Sequence, residues 1–567
     1  LSPSIVSFRK LQSPSAPAES PPSIPIGKES YPASKENSMK SKLLMIGMIA
    51  IMGCSLLAAG PPDGTRWWSY VEFLASDKLE GRNTGSEGHR QAAEFVAAQF
   101  MRDGLKPAGT DGYIQPVKFN TLQLDESDSS LTLELEGKKR AIELGEDAII
   151  GTRVDPAPAV EAGMYFVGYG LRVPDDNYDD FAGLDTKGKI AVYIGGAPST
   201  MSSALAAHYQ SGGQRWATLK SAGMIGSIAI PNPHHMDVPW SRIALSRFQM
   251  TMQLAAPGMD ETAGERIAIG WNPAHADELL AGSGHTLDEL VAIAEQGKQL
   301  PRFALPAKLK ARTAVKRGSV ESQNLAAIYP GSDAKLKDEY VAMSAHIDHL
   351  GIGKPINGDS IYNGAMDNAS GVASILELAD HFKEARVKTK RSILFVVVTG
   401  EEKGLLGSRY YATNSTVPAR SIVADINTDM FLPLYPLKIV TVYGLDESTI
   451  GDDARAVARA MGIKAQPDPE PVRNIFIRSD QYNFVRRGIP SIMLAFGNEK
   501  GSPEAAIEKK WLTDRYHAPS DDLGQPVDKQ AAANFNVLLE ELIERIANTD
   551  ARPAWKPNSF FRRYAGN

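Results

Sequence analysis

A single cysteine, Cys54, among 567 residues excludes any disulfide within the chain and leaves no thiolate in the folded body to bind a metal. A basic excess is also missing. The 61 Lys and Arg against 67 Asp and Glu give a net charge of -6, and no run of cations concentrates anywhere, which argues against nucleic acid as a partner. Long apolar runs are confined to LLMIGMIAIMGCSLLAAG at 43–60, which only just reaches the length needed to span a bilayer. Histidine is scarce at 10 residues, so each one placed beside acids carries weight. What remains is ordinary for a soluble globular protein: 43% hydrophobic and 23% charged residues, in a chain long enough for a large domain with insertions.

The first 38 residues are rich in Ser and Pro and show no apolar periodicity, so they read as a disordered leader ahead of the true start. Met39, Lys40 and Lys42 followed by the apolar run and small residues have the order of a secretory signal over 39–60. Export to the periplasm or the extracellular space is therefore expected. A membrane anchor is the alternative, and Ile51-Met52-Gly53-Cys54 resembles a lipoprotein cleavage box that would place a lipid anchor on Cys54.

Beyond residue 64 the character changes twice. Helical spacing over 92–105 is followed by short alternating strands such as LTLELEG, MYFVGYG and GKIAVYIGG. From about 316 to 548 buried strands are expected at 340–345, 392–399, 422–427, 439–442 and 491–495. Helices over 371–384, 404–412 and 452–461 lie between them. This alternation predicts an α/β fold with a mostly parallel mixed sheet flanked by helices. Catalytic segments at 65–128 and 316–548 would then enclose a β-rich insertion at 129–315, with a tail at 549–567. Ligands of such sheets bind beyond the carboxyl ends of the strands.

Polar residues gather at those ends. His346 closes one strand, with Asp348 two residues on, placed to hold the imidazole nitrogen that faces away from a metal. Asp367 precedes a helix, where a carboxylate either caps the helix or bridges two metal ions. Glu401 and Glu402 follow the strand ILFVVVT, where adjacent acids suit a general base beside a metal ligand. Asp429 ends another strand, and His517 lies in WLTDRYHAPSDDL. Two His, two Asp and a Glu sharing one bridge would supply three ligands to each of two zinc ions, with Co2+ or Mn2+ as substitutes.

The stretches GRNTGSEGHRQAAEFVAAQF, SAHIDHLG, DSIYNGAMDNASG, TGEEKGLLGS, NTDM, SDQYNFVRRGIPS and YHAPSDD resemble the co-catalytic zinc aminopeptidases. That family also holds glutamate carboxypeptidase-like enzymes and glutaminyl cyclases. The resemblance covers 67–115 and 319–547. It implies a zinc exopeptidase fold in which Asp367 bridges both metals, His346 and Asp429 complete one site, and Glu402 and His517 complete the other. Glu401 would be the base, Asp348 the partner of His346, and the Asp367-Asn368 peptide would be cis. The insertion resembles a protease-associated domain. Tyr516 stands where the carboxypeptidase branch has a tyrosine that stabilises the oxyanion. Met366 and Gln481 depart from the pattern, where relatives have Asp and His, and leave the substrate contacts open.

The function implied is an exported aminopeptidase acting on peptides with a free amino terminus. A carboxypeptidase for acidic peptides is the nearest alternative, since Arg473, Arg478, Arg486 and Arg487 could hold a carboxylate; against this stands a solvated charged face. A glutaminyl cyclase and a receptor-like protein without catalysis are the remaining alternatives.

Overall fold

The run SILFVVV at Ser392–Val398 is apolar after its first residue and mostly β-branched, the pattern of a strand covered on both faces, and every residue of it is buried. In the computed structural model, which describes residues 64–566, this strand lies inside a ten-stranded sheet. The leader at 1–38 and the signal at 39–60 with Cys54 lie outside the described residues.

Tyr340–His346, Ile422–Thr428 and Ser491–Phe496 follow Ser392–Val398 across the sheet, all in parallel. On the other side Val315–Tyr329, Ile114–Leu124 and Thr251–Leu254 are antiparallel. Ile439–Tyr443 and Lys464–Gln466 complete the far edge. The sheet is therefore mixed, with its parallel strands at the centre and antiparallel strands beside them. His346 pairs in register with Val398, so the central strands end level along one edge.

Alternation divides the core. Ile393, Phe395 and Val397 face one layer, with Thr65–Leu74, Glu87–Arg102, Ser370–Ala385 and Lys529–Asn548 packed on it. Leu394, Val396 and Val398 face the other, against Tyr411 and Phe484. Side chains such as Trp67 and Phe431 are fully buried in the first layer. At about 25 cal/mol per Å² of apolar surface removed from water, this burial dominates the favourable side of folding.

Residues 130–312 supply a second sheet of eight strands with its own apolar core. It is not wholly apart, because Thr251–Leu254 leaves it to pair with Ile114–Leu124 of the first sheet. The segment just before that strand runs over the edge where the central strands end. Among the described residues no helix is long and apolar enough to cross a membrane.

Candidate active site

The five expected ligands come from five separate places and meet. His346 is the last residue of its strand, Asp429 directly follows Ile422–Thr428, and Glu402 lies four residues past Val398. Asp367 precedes Ser370–Ala385, and His517 follows the helix Pro503–Asp514. His346 Nε2 is 3.3 Å from Asp429 Oδ1 and 3.4 Å from Asp367 Oδ1. On the other side His517 Nε2 is 3.3 Å from both Asp367 Oδ2 and Glu402 Oε2. The two oxygens of Asp367 thus face two different histidines.

These separations permit a test of fit. Two donors bound at about 2.0–2.1 Å to one tetrahedral zinc lie about 3.3–3.4 Å apart. Unpartnered polar atoms point the same way. His349 Nδ1 lies 2.8 Å from Glu402 Oε1, but neither atom makes an aligned hydrogen bond, and both are buried. Buried polar atoms of a histidine and a carboxylate that lack aligned partners suit a cation beside them. Two groups of donors lie close enough together to hold an ion, His346 with Asp367 and Asp429, and His349 with Asp367 and Glu402, with His517 beside the second; the donor set therefore fits a pair of zinc ions.

His349 was not expected. It is fully buried and also lies 3.8 Å from Asp367 Oδ2. Its spacing from His346, three residues on, was the available signal, but the strand breaks between them and spacing cannot give the direction of the second ring. Gly364 makes room for it: with φ at 62°, a Cβ there would stand 2.5 Å from the imidazole.

One local expectation is corrected. Asp348 does not hold His346 through its carboxylate, which is 3.9 Å away. His346 Nδ1 donates instead to the Asp348 main-chain carbonyl at 3.0 Å, which leaves Nε2 free to face the acids. The Asp348 carboxylate is occupied by Thr84 Oγ1 at 2.8 Å and by the Glu401 amide at 3.1 Å. Asp367 caps no helix; Asn368 Oδ1 accepts the Gly371 amide in that role, and the Asp367-Asn368 peptide is cis. Asp521, another residue not singled out, receives the amides of Met366 and Asp367 at 2.9 and 3.0 Å and so fixes the loop. Met366 and Gln481 both point into the core, where Gln481 Oε1 accepts from Asn427 and its amide donates to Phe476.

Neighbouring acids differ sharply in proton affinity. Burial pushes Glu401 well above the carboxylate range, and Glu402, Asp429 and Asp480 add to this against the opposing pull of His346. Burial also penalises Glu402, but His517 and His349 hold it well below that range. His346 and His517 are both raised although burial opposes it, by Asp429 and Glu401 in one case and by Glu402 in the other. The two adjacent carboxyls thus differ in the direction of their shift.

Two spaces open from the cluster. A pocket of about 90 Å³ has an apolar wall of Met430, Phe431, Leu432, Met493 and Phe496. A larger cavity of about 560 Å³ lies against the second sheet's module. Glu401, Tyr516 and His517 line both. The Tyr516 ring lies 4.0 Å from that of His517, and its hydroxyl oxygen accepts from Arg478 at 3.3 Å.

The second module reaches this edge through residues 237–242. Asp237 binds Arg473 at 2.8 Å and Arg478 at 2.6 Å. Arg242 donates to the main-chain carbonyls of Thr513 at 2.7 Å and Tyr516 at 2.9 Å. Farther along, Glu261 pairs with Arg486 and Arg409. Of the arginines expected either to hold a carboxylate or to form a solvated face, Arg473, Arg478 and Arg486 are paired with acids of the second module, Arg478 remaining exposed, and Arg487 is exposed beside Thr413. Long-range partners of this kind leave no local pattern in sequence.

Residues 324–543 match the model of Peptidase family M28. Aminopeptidase Y of Saccharomyces cerevisiae is 29% identical over 207 residues, 36% of this chain and 35% of the relative. Carboxypeptidase Q of Bos taurus is 25% identical over 377 residues, 64% of each chain. This chain spans between 19% and 65% of the length of the curated relatives it matches. Among solved structures, the aminopeptidase from Aneurinibacillus sp. strain AM-1 superposes with a TM-score of 0.53 at 19% identity, over 88% of this chain and 97% of the other, and so shares the fold.

Proposed function

The region 324–543 places this chain in peptidase family M28, and from that premise we propose that it is a zinc-dependent aminopeptidase that removes apolar residues from the amino end of peptides. The observation that carries this reading is the convergence of His346, Asp367, Glu402, Asp429 and His517, with Glu401 beside them and bound to none.

His346, Asp367 and Asp429 would hold one zinc ion, and Asp367, Glu402 and His517 a second. When bound, the pair supplies Lewis acidity and makes water acidic enough to ionise near neutral pH. Glu401, whose burial raises its affinity for protons, takes the proton of the attacking water and returns it to the leaving amine. Tyr516 accepts a hydrogen bond from Arg478, so its own proton remains available to the oxygen that becomes negative as the carbonyl is attacked. The apolar wall of the smaller pocket takes the side chain of the amino-terminal residue.

Charge favours the amino end over the carboxyl end. Asp367, Glu401 and Asp429 line the pocket and attract an ammonium, whereas Arg473 and Arg478 already neutralise Asp237. The module at 130–312 serves in this reading as a protease-associated insertion, and the signal-like stretch at 39–60 supports export. A panel of leucyl peptides and p-nitroanilides with free and acetylated amines, assayed with and without a chelator, tests the proposal. Cleavage should require both the free amine and the metal. Equal turnover of the blocked substrates would refute it.

A further inference from the structure

Lys403 follows the two functional glutamates and has no part in the chemistry above. It is 4% exposed, yet its ammonium makes no hydrogen bond or ion pair among the described residues. Asp348 and Glu402 attract it from beyond ion-pair distance, and Arg153 repels it. Its stem is buried while its ammonium ends on a cavity wall with no carboxylate bound to it, and packing alone would be served as well by an apolar side chain of the same length.

Lys403 lies on the wall of the larger cavity, and Arg153 from the second module stands on the same wall. Arg153 Nη2 donates to the main-chain carbonyl of Glu402 at 2.9 Å, which fixes the guanidinium there without neutralising it. The other arginines of this wall are committed: Arg409 and Arg486 to Glu261, Arg473 and Arg478 to Asp237. Two cations that make no ion pair therefore face a space of about 560 Å³, whose wall also carries Asp260, Glu401 and Glu402, and whose size is within the range of pockets that enclose a small ligand. Glu401, Tyr516 and His517 line this cavity as well as the apolar pocket. A substrate whose first side chain fills the pocket would send its leaving portion into the cavity.

We propose that Lys403 and Arg153 receive a carboxylate on the leaving fragment, so that the protein acts preferentially on short peptides with a negative charge shortly beyond the cleaved bond. This rests on the aminopeptidase reading. The carboxylate is either the carboxyl terminus of a di- or tripeptide or an acidic side chain.

Two measurements on the zinc-loaded full chain test it. In the first, kcat/KM is compared for Leu-Gly and Leu-Gly-Gly as free acids and as amides, for Leu-Glu-amide against Leu-Gln-amide, and for leucine p-nitroanilide. At least one acid should exceed its neutral counterpart about tenfold, as expected for a charge-assisted contact. The free-acid pairs and the Glu/Gln pair separate the two sources of the carboxylate. Lys403→Met and Arg153→Gln should each bring that ratio close to one. The second measurement needs no turnover: calorimetric binding of glycylglycine against glycylglycinamide, expected to favour the acid in the wild type and to lose the preference in both variants. Acids and neutral counterparts treated alike, or a preference that survives both substitutions, overturns the proposal. Absence of p-nitroanilide hydrolysis alongside intact selective binding would instead overturn the aminopeptidase reading and leave the carboxylate site standing. Arg153 is exposed, so its variant remains informative if Lys403→Met fails to fold.

Discussion

Arg242 holds Tyr516 by the main chain: its guanidinium donates to the Tyr516 carbonyl at 2.9 Å, one residue before His517, and to the Thr513 carbonyl at 2.7 Å. The Thr513 carbonyl, left open by the end of the Pro503–Asp514 helix, and the Tyr516 carbonyl just beyond it thus share a partner in another sheet's module. His517 itself has φ of 53°, a conformation that non-glycine residues adopt only when held.

Arg242→Ala should therefore act on the site from outside it. Misplacement of a catalytic group by about 1 Å costs on the order of a hundredfold, so kcat is expected to fall roughly 10- to 100-fold with global stability little changed. Steady-state kinetics and thermal melts on the same preparation check this. Unchanged kcat would mean that the His517 loop keeps its position without Arg242.

Glu401→Gln tests the base directly. An amide keeps the shape of the carboxyl it replaces, and the proposed zinc donors are other residues. Turnover should drop by at least about 10²- to 10⁴-fold, the usual contribution of a positioned acid-base group. Zinc measured by atomic absorption should stay at the wild-type ratio, and a substantially active variant would remove Glu401 from the mechanism.

Much of this site was readable in sequence because each donor stands where a strand ends or a helix begins. The buried runs at Ser392–Val398 and Ile422–Thr428 announce themselves by composition, and the polar residues that interrupt them can only lie at the sheet edge. What could not be read depends on contacts between distant segments. Asp237 and Arg242 look like surface residues of a loop until the module bearing them is placed against Arg478 and Tyr516. Asp348 shows a finer limit. Its position beside His346 was foreseeable, but whether carboxylate or carbonyl reaches the imidazole depends on how the chain turns after the strand, and Thr84 decides it by binding the carboxylate.

His349→Ala should loosen metal on the Glu402 side. The imidazole lies 2.8 Å from Glu402 Oε1, and loss of a group that orients or shares a ligand weakens metal affinity by about 10- to 100-fold. Competition against a chromophoric chelator should show one of the two zinc ions released more easily, and two unchanged affinities would show His349 to be a packing residue. In the wild type, stripping both ions should lower the melting temperature, because ligand bound at a hundredfold over its Kd contributes about 2.7 kcal/mol.

Asp237→Asn removes the charge that Arg473 and Arg478 share. With the pair only partly exposed, a loss of roughly 1–3 kcal/mol is expected. The freed guanidinium of Arg478 lines the pocket, so the variant should also tolerate substrates with an amino-terminal Asp or Glu better than the wild type does. Urea denaturation and a comparison of leucyl with glutamyl p-nitroanilide measure the two effects, and an unchanged Glu-to-Leu ratio would show that Arg478 does not face the substrate.

The join between the two modules should be sensitive to acid. His208, in the helix Ser203–Gln210 of the second module, is buried with Nδ1 at 2.8 Å from the Tyr482 hydroxyl and Nε2 at 3.2 Å from that of Tyr564. Burial first, then Arg486 and Arg563, push its pKa down to about 4, with Asp175 opposing. Below about 6.5 the unfolded chain takes up a proton that the folded protein refuses. Stability should therefore fall as pH drops from about 6.5 to about 4, by up to about 3 kcal/mol, and this group should add no slope above that window. His208→Asn, which keeps an acceptor for Tyr482 and cannot titrate, should flatten the melting temperature across the same interval. Parallel curves for variant and wild type would place the acid sensitivity elsewhere, since only a group whose affinity for protons changes on folding can tilt stability with pH.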